Sequence, residues 1–84
     1  MVNIDSLVDI MNWQDKNKDY PFFFEENTAA VLLAIGDNCD ELKEFIRNSD
    51  KNMLLFLSQF AESITEKFNY DDSLMNLIDE CFPW

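Results

Sequence analysis

The spacing of apolar residues is the feature that most constrains the fold of this chain, because it follows the period of an α-helix. The longest such segment runs from Met53 to Phe68, which is more than four turns at about 3.6 residues per turn. No stretch of alternating apolar and polar residues is long enough to predict a strand. The sequence therefore predicts an all-α protein.

Signals for helix starts and ends divide the chain into four or five short helices in a single compact domain, residues 1–84. Asn3 is predicted to cap a first helix that ends near Trp13 or Gln14. Pro21 prevents a simple continuation of that helix, and residues 22–28 are either extended or the first turns of a second helix.

The only glycine, Gly36, is predicted to end the second helix in a left-handed conformation. Further helix caps are expected at Asp37 or Asn38, at Ser49 or Asp50, and at Asp71 or Asp72. The last helix is expected to stop before Pro83.

The charge balance excludes several classes of partner. The chain has 17 acidic against 6 basic residues and no histidine, for a formal net charge of -11. Contacts with DNA or RNA phosphates and with anionic lipid both require a basic face, so we expect neither nucleic acid nor membrane as a partner. Hydrophobic residues make up 48% of the chain, which indicates a folded core. The acidic opening residues, 1–5, do not resemble a secretory signal, so the expected location is cytoplasmic.

The two cysteines, Cys39 and Cys81, stand far apart without a neighbouring Cys or His. Zinc sites need clustered ligands, so no metal and no cofactor is predicted. The favoured interpretation is two small apolar residues in a reduced core, and a single disulfide of a secreted domain is the alternative.

The composition also argues against an enzyme. Without histidine, a Ser-His-Asp or Cys-His arrangement cannot form, and the commonest general base is missing. Several adjacent carboxylate pairs occur, but solvated acidic surfaces explain them in so short a chain. We therefore expect a non-catalytic protein.

One segment is similar to the calcium loop of an EF-hand. It begins Asp15-x-Asn17-x-Asp19 and places Glu26 at the twelfth position, where a bidentate ligand belongs. However, Tyr20 occupies the sixth position, which requires glycine. The sequence therefore predicts a polar loop between helices and no calcium site.

Three consecutive aromatic residues, Phe22-Phe23-Phe24, cannot all point inward from one helix face. One interpretation is an aromatic anchor for a basic partner, and the other is a loop that tucks two of the rings beneath the helices. The residues predicted as anchors and flanking carboxylates are Tyr20, Phe22, Phe23, Glu25 and Glu26. Trp13 and Trp84 allow the same two interpretations.

A second acidic set is predicted near the end of the chain. It consists of Asp71, Asp72, Asp79 and Glu80. If the two chain ends lie together, Asp5 and Asp9 would extend this set into one negative face. The alternative is a dispersed coat of charge that keeps the protein soluble.

In size, acidity and helical layout the chain resembles bacterial immunity proteins, the small cytosolic inhibitors of contact-dependent or secreted toxins. The resemblance covers residues 27–82, including the two capped helices between Leu42 and Phe68. It implies a cognate toxin, commonly a nuclease, bound through acidic and aromatic residues. No contact residue carries over, because such families diverge at their binding faces.

The sequence leaves two other functions open. One is a phage-encoded anti-defence protein of the anti-CRISPR or anti-restriction type, whose carboxylates act as a DNA mimic. The other is a small helical adaptor subunit. The partner expected in each case is a basic protein, either a toxin or an enzyme that acts on nucleic acid, and the oligomeric state is open.

Overall fold

A computed structural model describes residues 1–83, and the prediction for Trp84 lies outside this part of the chain. The described residues form only helices and the turns between them, so the all-α prediction is confirmed. There are six helices in this part, rather than four or five. They are α1 (Ile4–Lys16), α2 (Phe23–Ala34), α3 (Cys39–Asn48), α4 (Lys51–Ser58), α5 (Ala61–Lys67) and α6 (Asp72–Cys81).

The additional helix arises because the long segment predicted between Met53 and Phe68 breaks near its middle. At the break, the N–H of Phe60 donates to the carbonyl of Leu57 at 2.9 Å, which is a tighter turn than that of an α-helix. The Phe60 side chain is fully buried, and its ring lies 5.5 Å from that of Phe56. The apolar spacing continues through the break, so the spacing alone could not reveal the change of direction.

Four of the six helices begin with a side-chain cap, in agreement with the sequence. In each, an Asn or Asp oxygen accepts the N–H of the residue three positions later, at 2.9 to 3.1 Å. The caps are Asn3, Asn38, Asp50 and Asp71. The end predicted for the first helix was wrong, because α1 continues to Lys16.

Residues 23–28, whose structure the sequence left open, form the beginning of α2. This helix ends as predicted at Gly36, which has a φ of 77°. The carbonyl of Leu32 in the last turn of α2 accepts a hydrogen bond from Nζ of Lys67. Lys67 also lies 3.4 Å from Asp37, so a cation from α5 stabilises the C-terminal end of α2.

The end of α5 uses a Schellman motif. The N–H of Tyr70 donates to Thr65 O at 2.8 Å and that of Asn69 to Glu66 O at 3.1 Å. Asn69 and Tyr70 both have a φ of 56°, in the left-handed region. This turn reverses the chain before α6.

One apolar core joins the helices: α1 packs against α2, α3 against α6, and α5 against both α2 and α6. The fully buried side chains with the largest volumes are Phe60, Leu7, Ile35, Leu42, Ile46, Leu57, Ile64, Leu74 and Val31. No helix among residues 1–83 combines the length and apolar character needed to cross a lipid bilayer.

Cys39 and Cys81 are half-buried free thiols, so the alternative of a disulfide is not realised. Burial, and next the negative charge of Asp71, raise the pKa of Cys39, which places this thiol near the start of α6. Cys81 lies at the other end of α6, about 15 Å from Asp71 at 1.5 Å rise per residue. Cys39 and Cys81 therefore lie beside opposite ends of α6.

Candidate partner-binding surface

The turn between α1 and α2 places an aromatic side chain at the surface. After α1 ends, the Asn17 backbone N–H and side-chain amide both donate to the carbonyl of Trp13, at 3.0 and 2.8 Å. The N–H of Tyr20 then donates to the carbonyl of Asn17 at 3.0 Å. The Tyr20 hydroxyl donates to Oε2 of Glu26 in the first turns of α2. Both ends of Tyr20 are therefore held in place.

Around Tyr20, several aromatic rings form a connected group. The Trp13 ring meets that of Tyr20 edge to face, with centroids 5.3 Å apart, and Phe22 lies 6.0 Å away on the other side of Tyr20. Trp13 also stacks on Phe23 at 6.1 Å. Aromatic pairs in these geometries contribute about 0.5–1.5 kcal/mol each beyond their buried area. These contacts hold the rings in position before any partner binds.

Phe23 is not available as an anchor, in contrast to the prediction. Its side chain is only 6% exposed and lies in the core, 6.3 Å from the ring of Phe60. The rings on either side of it point outward, since Phe22 is 58% and Phe24 is 44% exposed. At least one exposed ring was expected among the three residues, and two are exposed. Of the two residues predicted as anchors here, Phe22 is exposed and Phe23 is not.

Phe24 is an exposed ring that sequence reasoning did not select. It stacks on Phe60 with centroids 5.1 Å apart and nearly parallel planes. Knowledge that α2 begins at Phe23 would have found it, since residue 24 is then rotated by about 100° from an inward-facing residue 23. We call Trp13, Tyr20, Phe22 and Phe24 the aromatic patch.

The aromatic patch has a carboxylate rim. Glu25 and Glu26 are exposed in the first turn of α2. The hydrogen bond to Glu26 is the main reason that the pKa of Tyr20 is raised, and the charge of Glu25 contributes as well. Both carboxylates therefore lie close to the phenol, as predicted from the sequence. A tyrosine is protonated at neutral pH, and the raised pKa extends this to higher pH, so the hydroxyl remains a donor.

One member of the second acidic set, Asp71, has a structural role. Asp71 caps α6 and accepts hydrogen bonds from the Ser73 hydroxyl at 2.6 Å and the Leu74 N–H at 2.9 Å. These bonds lower the pKa of Asp71, with a smaller contribution from Lys43. This side chain thus stabilises the helix.

Asp72, Asp79 and Glu80 are exposed along α6. Asp72 and Asp79 share one face, since seven residues make almost two full turns, or about 10.5 Å. Asp79 also lines a groove of about 410 Å³ beside Glu62 of α5. Asp9, which was expected near these residues only if the two chain ends lie together, lines a different groove beside Tyr20 and Glu26. Asp9 therefore belongs to the surroundings of the aromatic patch.

The residues that are similar to a calcium loop have other contacts. Asp15 lies 3.6 Å from Lys18, and Glu26 accepts the hydrogen bond of Tyr20. Asn17 holds the end of α1. Within residues 1–83, no three Asp, Glu, Cys or His side chains are grouped closely enough to hold a metal ion.

The aromatic patch is therefore the surface with the clearest capacity for binding: exposed rings on a rigid base, next to carboxylates. Comparison with known proteins finds no relative of this chain. No family model matches the chain, and neither a curated protein nor a solved structure is similar to it.

Proposed function

We propose that this chain is a non-catalytic inhibitor that binds a basic enzyme, in the manner of a bacterial immunity protein that neutralises a cognate toxin such as a nuclease. The observation that carries the proposal is the exposure of four aromatic rings beside carboxylates in a chain with a net charge of -11. Aromatic residues surrounded by a charged rim are typical of the energetic centre of a protein interface.

Rigidity supports the proposal. Trp13 and Phe24 rest on the buried rings of Phe23 and Phe60, at 6.1 and 5.1 Å. Side chains that are already ordered lose less conformational entropy when a partner covers them. The aromatic patch can therefore contribute binding free energy without a prior rearrangement of the helices.

The net negative charge of the chain also supports the proposal. A strongly acidic protein attracts a basic partner over roughly 8 Å at physiological ionic strength, which accelerates association. Asp72, Asp79 and Glu80 are exposed and contribute to this attraction. We propose that the carboxylates govern the association rate, whereas the buried rings of the complex govern its lifetime.

The test begins with capture of proteins from the native host on immobilised wild-type chain. The Phe22→Ala/Phe24→Ala double variant is compared with Leu33→Ala, a matched control. Leu33 is 81% exposed and lies on the face of α2 opposite to Phe24. We expect a basic enzyme to be retained by the wild type and the control, and to be lost from the double variant.

The captured enzyme is then assayed with and without the purified chain. Stoichiometric inhibition supports the proposal, and an enzyme that remains fully active in the complex contradicts it. Stopped-flow binding at several salt concentrations separates the contribution of the carboxylates to the association rate from that of the aromatic rings to the lifetime of the complex. An Asp72→Asn/Asp79→Asn/Glu80→Gln variant should associate several-fold more slowly at low salt and equally fast at high salt.

Mimicry of DNA by the carboxylates predicts a different pattern. Inhibition would then survive loss of Phe22 and Phe24, and nucleic acid would compete with the chain for the enzyme. An adaptor would bind its partner without changing any activity. The capture and inhibition experiments therefore distinguish the three functions.

A further inference from the structure

A groove between α1 and α2 lies directly beside the aromatic patch. It has a volume of about 380 Å³ and is lined by Asp9, Ile10, Trp13, Tyr20, Glu26 and Asn27. A second groove of about 300 Å³ shares Asp9 and Ile10 with it and extends toward Leu33. The two grooves are separate and lie next to each other along the α1–α2 face.

The charge in this groove is of one sign. Asp9 and Glu26 contribute carboxylates, and neither Lys nor Arg is among the lining residues. In the described part of the chain Asp9 forms no ion pair, and Glu26 accepts only the neutral hydroxyl of Tyr20. Both negative charges are therefore available to a cation from outside.

The remaining walls suit a cation that is flat and carries an apolar stem. Trp13 and Tyr20 are 43% and 38% exposed, so their rings are accessible to a ligand, and Ile10 provides an aliphatic surface. A guanidinium stacks on aromatic rings and donates two parallel hydrogen bonds to a carboxylate. An ammonium group is more strongly hydrated and lacks this fork, so arginine fits the groove better than lysine.

We infer that the α1–α2 groove receives a single arginine side chain of the basic partner, with its guanidinium between Asp9 and Glu26 and beside the ring of Trp13. The inference rests on the proposed function, because it names the side chain that the partner inserts. Charge complementarity and aromatic walls select this occupant over an apolar side chain or a second copy of this acidic chain.

The test uses small probes and needs no knowledge of the partner. N-acetyl-arginine amide is titrated into the ¹⁵N-labelled full chain, and the Trp13 indole N–H signal is followed by nuclear magnetic resonance. N-acetyl-citrulline amide, which has the same shape without the charge, and N-acetyl-lysine amide serve as comparisons. We expect a saturable shift at Trp13 with arginine, a weaker one with lysine and none with citrulline.

Variants locate the site. Asp9→Asn/Glu26→Gln should weaken arginine binding about tenfold or more, through loss of charge-assisted hydrogen bonds. The matched control is Glu62→Gln/Asp79→Asn, which removes two negative charges from the groove between α5 and α6. This control should bind arginine within about twofold of the wild type, because the distant charges are screened.

Three results would overturn the inference: equal shifts with citrulline, equal weakening in the two double variants, or no saturable shift at Trp13. Its failure is separable from that of the proposed function. A captured and inhibited basic enzyme together with absent arginine binding refutes the groove alone. Arginine binding at Trp13 without any inhibited enzyme refutes the inhibitor and leaves the groove.

Discussion

Substitution of Gly36 by alanine should destabilise the protein, because this residue has a left-handed backbone and a close neighbour. Its φ is 77°, and a Cβ built there would lie 3.0 Å from the carbonyl oxygen of Met1 and 3.2 Å from its backbone carbon and nitrogen. The first residue is kept in this place by the ion pair between its amino group and Glu41, at 3.5 Å. The hydrogen bond from the N–H of Asn3 to the carbonyl of Ala34, at 2.6 Å, anchors the same segment.

Two contributions determine how much Gly36→Ala destabilises the protein. A residue other than glycine in the left-handed region costs about 1–2 kcal/mol. The close contact with Met1 can be relieved by movement of the first residue, which gives up an exposed ion pair worth about 0–1 kcal/mol. We therefore expect Gly36→Ala to lower the free energy of unfolding by about 2 kcal/mol.

Urea unfolding followed by far-ultraviolet circular dichroism measures this change. An unchanged m value, the slope of the free energy of unfolding against urea concentration, would show that the unfolded state is the same. A chain that begins at Val2 lacks all three atoms in the close contact. In that background the cost of Gly36→Ala should fall to the backbone contribution alone.

Asn69 is the matched control, since it occupies the equivalent position after α5 with a φ of 56°. Asn69→Gly should leave stability unchanged or raise it by a few tenths of a kcal/mol, as glycine adopts this conformation at no steric cost. A free energy of unfolding for Gly36→Ala within about 0.5 kcal/mol of the wild type, as is typical of neutral surface changes, would refute the role assigned to Gly36.

Three further predictions concern the aromatic residues at the α1–α2 turn and the cap of α6. Phe23→Ala should lower the free energy of unfolding by about 3–5 kcal/mol in urea titrations, whereas Phe22→Ala should lower it by at most about 1.5 kcal/mol, the contribution of its ring contact with Tyr20; the reverse order would contradict the burial argument. The tyrosinate absorbance of Tyr20, measured in a Tyr70→Phe background, should titrate above its ordinary pKa of 10.0, and Glu26→Gln should bring it back toward that value. The lowered pKa of Asp71 means that the unfolded state binds its proton first, so the stabilisation by this carboxylate is complete above its ordinary pKa of 3.8 and is lost as the pH falls through the lowered value. The stability difference between wild type and Asp71→Ala should therefore shrink in acid unfolding below pH 3.8, and a difference that grows there would refute the assignment.

Local signals in the sequence predicted much of the helical layout. The roles of Asn3 and Gly36 were predicted from residue type and position in the sequence. Helix capping and a left-handed backbone involve only residues a few positions apart, so they can be predicted locally. Where two adjacent caps were possible, such as Asn38 beside Asp37, either side chain could accept the hydrogen bond. Backbone geometry decided between them.

Tertiary packing decided the features that no local pattern contains. At the break before α5, the ring of Phe60 packs against Phe23 and Phe24 of α2 as well as against Phe56, and no local pattern indicates the contacts with α2. The same packing turned Phe23 inward and left its neighbours exposed. Tertiary structure also decided the contact of a charged side chain. Lys67 donates to the carbonyl of Leu32 at the end of α2, which lies 35 residues away along the chain.

The sequence by itself determined the helical class, most caps and the acidity, because these follow from residue type and short-range spacing. Only the tertiary structure decided which rings and carboxylates share a surface, such as Asp9 with Tyr20 and Glu26. The physical reason is that apolar spacing defines the face of each helix that is buried, but not which other helix covers it. The α1–α2 groove depends on that second choice.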